Sequence, residues 1–118
     1  MEKSDFFKPA LEWAKRRGLS KIKANFTDYE SPVHFTRRDE EQSFVPDITG
    51  YRLGVKHYVE IATKEEDVPK KVSKWKLMAK LAGMKGGRLF LLAPKGHKAF
   101  AERIVKRYNV NAKVVYLQ

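Results

Sequence analysis

Two acidic residues occupy positions where the surrounding sequence favours buried strands. Asp47 lies in the largely apolar segment 44–48, and Glu60 lies in 57–62, which is rich in β-branched and aromatic residues. A carboxylate in such surroundings is costly to bury unless it is paired or bound to a metal. Two convergent carboxylates suit a hard cation such as magnesium or manganese, which polarises a phosphate and lowers the pKa of bound water. The two acids therefore predict a metal site for hydrolytic chemistry.

Each acid also has a purely structural interpretation. Asp47 precedes Ile48-Thr49-Gly50 and can simply cap a turn there. Glu60 can form an ordinary ion pair with a lysine of its own strand or with a cation on the neighbouring strand. The sequence alone leaves both alternatives open.

Three short strands would position the two acids. We predict them at 33–37, 44–50 and 55–62. The polar connections between them are short, which implies antiparallel hairpins and a three-stranded meander. The acids then lie on neighbouring strands, so their side chains can converge.

The rest of the chain alternates between helical and strand patterns. We predict helices at 5–17, 68–83 and 97–108, and further strands at 88–93 and 112–117. The segment 88–93 is nearly all apolar, as expected of a strand that is buried on both faces. Residues 19–32 remain unassigned, because only a few apolar residues recur there at helical spacing.

The predicted order of elements is α-β-β-β-α-β-α-β. The strand–helix–strand–helix–strand end implies parallel, right-handed crossovers. We therefore predict one α/β domain over residues 1–118, with a mixed sheet flanked by helices. A chain of 118 residues is typical of one compact domain with a single core.

The charge of the chain is distributed unevenly. The net charge is +11, from 25 Lys+Arg and 14 Asp+Glu. Residues 1–68 hold twelve basic and thirteen acidic side chains, whereas residues 69–118 hold thirteen basic residues and one acidic residue. A basic face of this kind favours a nucleic-acid partner, DNA more than RNA. An acidic protein, an anionic membrane and a merely solvated surface are the alternatives.

Several classes of protein are excluded by composition. The chain has no cysteine, so we expect no disulfide framework, thiolate zinc site or cysteine nucleophile. No apolar run approaches the ~20 residues of a membrane span, and the charged N-terminus does not fit a secretion signal. We therefore expect a cytoplasmic protein without a membrane partner.

The acids in this context resemble the PD-(D/E)XK nuclease superfamily, which has the restriction-endonuclease-like fold. Pro46-Asp47 is followed, after twelve intervening residues, by Glu60 on the adjacent predicted strand. The superfamily core is α-β-β-β-α-β, which the predicted order contains. The resemblance implies that the two acids bind the catalytic metal, and that a lysine two residues after the second acid assists the attacking water. That position is Ala62 in this chain.

The missing lysine has a candidate replacement nearby. Lys64 lies two residues further on and, by strand alternation, on the same side as Glu60. Lys64 also begins a charged run and can equally be a solvated residue. The superfamily includes members whose lysine has moved and members that are inactive. Many members carry a further acid on the first helix, for which Glu12 is the candidate here.

Basic residues after the second acid are candidates for contacts with phosphates. The following helix carries Lys70, Lys71 and Lys74 on one side of its apolar face. Lys95 and Lys98 flank the start of the next helix, where backbone N–H groups favour anions.

The expected function is therefore a magnesium- or manganese-dependent nuclease, a hydrolase of phosphodiester bonds in DNA or RNA. The alternative is an inactive module of the same fold that binds nucleic acid or an acidic protein, with Ala62 marking the lost lysine. So small a chain has little room for a specificity domain. A homodimer, a partner or a structure-shaped substrate would have to supply specificity.

Overall fold

A mixed five-stranded β-sheet with helices on both faces forms the centre of the molecule. The computed structural model describes residues 3–33, 35–36, 43–64 and 67–117. These residues form a single α/β domain with three α-helices, in agreement with the predicted fold class. Within this part of the chain, no helix combines the length and apolar character that a membrane crossing requires.

The helices and strands have the following bounds. The helices are α1 (Phe7–Arg16, preceded by a 3-10 helix at Lys3–Phe6), α2 (Val68–Met84) and α3 (Lys98–Tyr108). The strands are β1 (Ser20–Ala24), β2 (Phe35–Thr36), β3 (Ser43–Phe44), β4 (Ile48–Arg52), β5 (Val55–Ile61), β6 (Leu89–Pro94) and β7 (Ala112–Leu117). The main sheet has the order β1-β4-β5-β6-β7. Its β1–β4 and β4–β5 pairs are antiparallel, whereas β5–β6 and β6–β7 are parallel.

The first strand of the meander differs from the prediction. Strand β1 fills this place, within the segment 19–32 that the sequence left unassigned. Its pairing with β4 is irregular between Ser20 and Lys23, and Lys21 has a positive φ. These two irregularities hide the alternation of apolar and polar residues that would identify a strand. The predicted strand 33–37 supplies only β2, which pairs with β3 in a separate small sheet; residues 34 and 37 lie outside the described residues.

The predicted strand 44–50 is interrupted at residues 45–47, which include Asp47. Phe44 ends β3, and β4 begins only at Ile48. Pro46 lies in the interval and cannot donate a hydrogen bond to a sheet partner, which favours a break there. Asp47 is consequently the last residue before β4 rather than a residue inside a strand.

The β4–β5 hairpin sets the register of the two acids. Its two-residue turn, Leu53-Gly54, has positive φ at both positions, as the hairpin turn of type I′ requires. Ile48 pairs with Val59 across the two strands, so one further step in this register places Asp47 opposite Glu60. A local turn therefore determines which two carboxylates meet.

The sheet separates two apolar clusters. Val59 and Ile61 pack with α1, whereas Tyr58 and Ala62 belong to the cluster beneath α2 and α3. Every residue of β6 is buried, as predicted for a strand covered on both faces. Because Glu60 alternates with Val59 and Ile61, its side chain faces the α2 side of the sheet.

Candidate active site

The two predicted acids meet at the end of the β4–β5 hairpin distant from its turn. Asp47 is only 3% exposed and Glu60 only 1%. The backbone N–H of Asp47 donates to Oε2 of Glu60 at 2.6 Å, and the N–H of Ile61 donates to Oδ2 of Asp47 at 2.9 Å. Each carboxylate thus accepts a backbone hydrogen bond from the strand region of the other, which fixes their relative orientation.

Two lysines from distant parts of the chain neutralise this pair. Lys74 of α2 places its Nζ 2.8 Å from Oε1 of Glu60 and 3.8 Å from Oδ1 of Asp47. Lys3, from the N-terminal 3-10 helix, places its Nζ 2.8 Å from Oδ2 of Asp47. Buried carboxylates are tolerated when they are paired and hydrogen-bonded in this way.

Burial dominates the electrostatics of the second acid. The pKa of Glu60 is raised above its ordinary value, first because the side chain is removed from water and second because the charge of Asp47 lies beside it. Lys74 and Lys3 act in the opposite direction but do not reverse the shift. A cation between the acids favours their ionised forms, because it compensates both charges at once.

The ammonium group of Lys74 shows where a positive charge fits. Its Nζ lies between one oxygen of each acid, Oε1 of Glu60 and Oδ1 of Asp47, while backbone N–H groups bind the other oxygen of each. These oxygens suit a hard divalent cation. Among the described residues no group of three or more His, Asp or Glu could hold a metal.

Lys64, which strand alternation predicts beside Glu60, forms no ion pair with either acid in the structure. Strand β5 ends at Ile61, so the alternation does not extend to residue 64. The backbone N–H of Lys64 donates to Nδ1 of His97 at 2.9 Å, and the residue is exposed. Within the part of the chain that the structure describes, neither acid forms a salt bridge with Lys64.

Glu12 is also separate from the buried pair. It lies on the exposed side of α1, whose buried residues are Phe7, Ala10, Leu11 and Ala14. It lines a shallow groove together with Lys15 and Tyr29. The residue of the N-terminal helical region that contacts the acid pair is Lys3, which pairs with Asp47, and not Glu12.

The predicted phosphate-binding lysines fall into two groups. Lys70, Lys95 and Lys98 are exposed, and Lys98 lies 3.7 Å from Glu102 of the same helix. Lys71 is buried, with its Nζ 5.1 Å from the centre of the Trp75 ring. Lys74 faces the acids. Neither Lys71 nor Lys74 is therefore part of an exposed basic surface.

No pattern in the sequence indicates the roles of Lys3 and Lys74. Lys3 lies 44 positions before Asp47, and the helical pattern places Lys74 with Lys70 and Lys71 as candidates for contacts with phosphates. Only the packing of α2 against β5, and of the N-terminal helical region against the hairpin, brings these amines to the acids.

Comparisons with known proteins place the chain in no family. No family model, curated protein or solved structure matches it.

Proposed function

We propose that this chain is a metal-dependent phosphodiesterase that acts on nucleic acid, with DNA as the first candidate substrate and RNA as the second. The observation that carries the proposal is the buried pair Asp47 and Glu60, which shares the amine of Lys74. Two buried carboxylates with two lysine amines at the end of a hairpin are an expensive arrangement for a purely structural role. Perturbed titration inside such a cluster is typical of functional sites.

The arrangement of the main sheet supports a restriction-endonuclease-like fold. If β2 and β3 are treated as an insertion, the chain runs α1-β1-β4-β5-α2-β6, which is the α-β-β-β-α-β order of that fold. Three antiparallel strands followed by parallel ones agree with the predicted meander and crossover. The acids occupy the first residue before β4 and the penultimate residue of β5.

Magnesium or manganese would be held by Oδ1 of Asp47 and Oε1 of Glu60, so the ammonium group of Lys74, which contacts the same oxygens, would have to move off them when the ion binds. When bound, such an ion polarises a phosphate oxygen and lowers the pKa of a coordinated water. The two acids would therefore supply negative charge and orientation, and the hydrogen bonds from Ile61 and Asp47 N–H groups keep each carboxylate in place.

Lys74 is the candidate for the lysine that Ala62 replaces. Ala62 is fully buried in the apolar cluster that includes Trp75 and Met78, so this position contributes to the core. Lys74 enters from α2 and reaches the same acid that the motif lysine accompanies. Its ammonium group would orient the attacking water and stabilise charge on the phosphate.

The proposed reaction is hydrolysis of one phosphodiester bond. The water oxygen forms a bond to phosphorus and releases a proton, while the bond from phosphorus to one sugar oxygen breaks and that oxygen takes up a proton. Exposed Lys70, Lys95 and Lys98, in the strongly basic part of the chain, would bind neighbouring phosphates of the strand.

A second candidate function is supported by the neutralised state of the acids. Lys3 and Lys74 already compensate Asp47 and Glu60, and Ala62 occupies the position of the motif lysine. The same features fit an inactive module that binds nucleic acid or an acidic protein. Such a module would bind nucleic acid with strong salt dependence and would not cleave it.

A cleavage assay separates these functions. Single-stranded, duplex, flapped and four-way-junction DNA, and matched RNA, are incubated with magnesium or manganese. We expect cleavage by the native chain, and a loss of about a thousandfold or more with Asp47→Asn or Glu60→Gln. Glu30→Gln, an exposed glutamate that pairs with Lys23, is the matched control. Salt-sensitive binding without cleavage would support the inactive module, and equal cleavage by all variants would refute the assigned site.

A further inference from the structure

The sheet has a second charged cluster near the turn of the β4–β5 hairpin. Arg17, Arg52, His57 and Arg88 line a small cavity there with a volume of about 220 Å³. Arg17 follows α1, Arg52 ends β4, and Arg88 immediately precedes β6. Four cationic or titratable side chains from three parts of the chain therefore converge: the end of α1, the β4–β5 hairpin and the start of β6.

Packing restricts the guanidinium group of Arg17. Its central carbon lies 4.9 Å from the ring centre of Phe90 and 5.6 Å from that of Trp13, both within the range of cation–π attraction. A Cβ placed on Gly18 would lie 3.8 Å from Nε of Arg52, so the Arg52 side chain passes close to the turn that follows Arg17.

His57 contributes a neutral donor between the arginines. The backbone N–H of Arg88 donates to Nδ1 of His57 at 3.1 Å. Burial lowers the pKa of His57, and the positive charges of Arg17 and Arg52 lower it further. In the neutral ring, an accepting Nδ1 leaves the proton on Nε2, which can donate to a ligand.

The positive charge of this cluster has no acidic counterpart in the described part of the chain. Salt bridges there involve Asp47, Glu60, Glu30 and Glu102, and none of these pairs includes an arginine. The residues that line the cavity include no acid. Three guanidinium groups around one cavity repel one another, so an anion that enters it gains from all three.

We propose that Arg17, Arg52, Arg88 and His57 form a binding site for a phosphate group. Guanidinium forks bind tetrahedral oxyanions through paired N–H donors, which fits phosphate better than a single point charge does. The cavity is smaller than the ~300 Å³ at which pockets for drug-sized ligands begin. It therefore suits a phosphate group and the first atoms of whatever carries it.

The site is distinct from the acid pair and does not depend on the proposed hydrolysis. Glu60 lies three positions after His57 in β5, about 10 Å along the strand. The phosphate can come from the solution as inorganic phosphate or from the end of a nucleic-acid strand. Both sources present the same oxyanion to the arginines.

Nuclear magnetic resonance with inorganic phosphate tests the site directly. Phosphate is titrated at constant ionic strength against chloride, in the presence of EDTA so that hydrolysis does not interfere. We expect saturable shifts of the backbone amides of Gly87 and Arg88 and of the His57 ring. Arg52→Gln and Arg88→Gln should each weaken binding about tenfold, the lower range for a charge-assisted hydrogen bond. Arg103→Gln, an exposed arginine on α3, should change it less than twofold.

Two oligonucleotides of one sequence distinguish the sources. One carries a 5′-phosphate and the other a 5′-hydroxyl group, again with EDTA. Tighter binding of the phosphorylated strand that is lost in Arg52→Gln assigns the site to a strand end. Equal binding of both strands, with saturable inorganic phosphate, assigns it to the free anion. Shifts that do not saturate, or that Arg103→Gln changes as much as Arg52→Gln does, would overturn the proposal.

Discussion

The β4–β5 hairpin carries two charged clusters, and they differ in how their charge is balanced. At the open end, the buried carboxylates of Asp47 and Glu60 meet two lysine amines. Near the turn, Arg52 and its neighbouring arginines surround His57, and no acid lines the cavity. The first cluster is compensated by the fold itself, whereas the second is not compensated by any described residue.

This difference has consequences for ligands. A cation that binds the acids must compete with ammonium groups that already contact their oxygens. An anion that enters the arginine cavity displaces only water and screening ions. The acid cluster is also buried, so its interactions depend less on salt than those of the exposed arginines.

The largest expected effect distinguishes Lys74, which contacts the acids, from Lys64, which does not. Lys74→Met should lower metal-dependent cleavage at least about a hundredfold, because its amine contacts the acids, whereas Lys64→Met should stay within about threefold. Rates are measured on the preferred substrate, with circular dichroism as a control for folding. If Lys74→Arg recovers part of the cleavage rate that Lys74→Met loses, the positive charge at this position contributes to cleavage. A large loss of cleavage in Lys64→Met, but not in Lys74→Met, would support the sequence prediction that Lys64 assists the attacking water.

Stability should respond very differently at the two clusters. Lys74→Met leaves two buried carboxylates with Lys3 alone and should lower the free energy of unfolding by about 3 kcal/mol at pH 7. Arg52→Gln removes an exposed charge and should change it by less than about 0.5 kcal/mol. Urea denaturation without added metal measures both values. Similar losses for the two variants would contradict the contrast drawn here.

The pH dependence of stability should reveal the buried acid. Because the pKa of Glu60 is raised in the folded state, the folded chain holds a proton that the unfolded chain releases near pH 4.5. The contribution of this group to stability is therefore lost as pH rises from about 4.5 through its folded pKa. The advantage of Glu60→Gln over the native chain should grow over that window, as measured by urea denaturation in EDTA. An advantage independent of pH would show that the acid titrates normally.

The arginine cluster should make a smaller contribution to the pH dependence of stability, with the opposite sign. The pKa of His57 is lowered from its ordinary 6.5, mainly by burial, so its neutral form stabilises the folded chain. That contribution is present above pH 6.5 and is lost as pH falls through the folded pKa. The His57→Gln variant should not lose this stability at low pH. Saturating phosphate should make the loss of stability smaller in the native chain. Thermal unfolding between pH 5 and pH 8 measures the difference, and parallel curves for the two proteins would exclude it.

Local patterns in the sequence predicted most of the elements. The three helices follow apolar residues at helical spacing, and β6 follows a short, nearly all-apolar run. The β4–β5 hairpin follows from a Gly-containing turn between two alternating segments. Asp47 and Glu60 were identifiable because an acid in such a segment contradicts its apolar surroundings. Strand β1 was missed because its irregular pairing gives it no simple period.

Contacts between distant segments decided the rest, and no period or turn signal encodes them. Lys3 and Lys74 reach the acids only because the N-terminal helical region and α2, which cover opposite faces of the sheet, both pack beside the same end of the β4–β5 hairpin. The arginine cavity likewise requires the ends of α1 and β4 to lie beside the start of β6. The sequence by itself determined most of the elements, β1 excepted, and the two acids, since both depend on short-range alternation of apolar and polar residues. The tertiary structure alone decided which cations accompany the acids and where unbalanced charge remains, because long side chains find partners across the packed sheet.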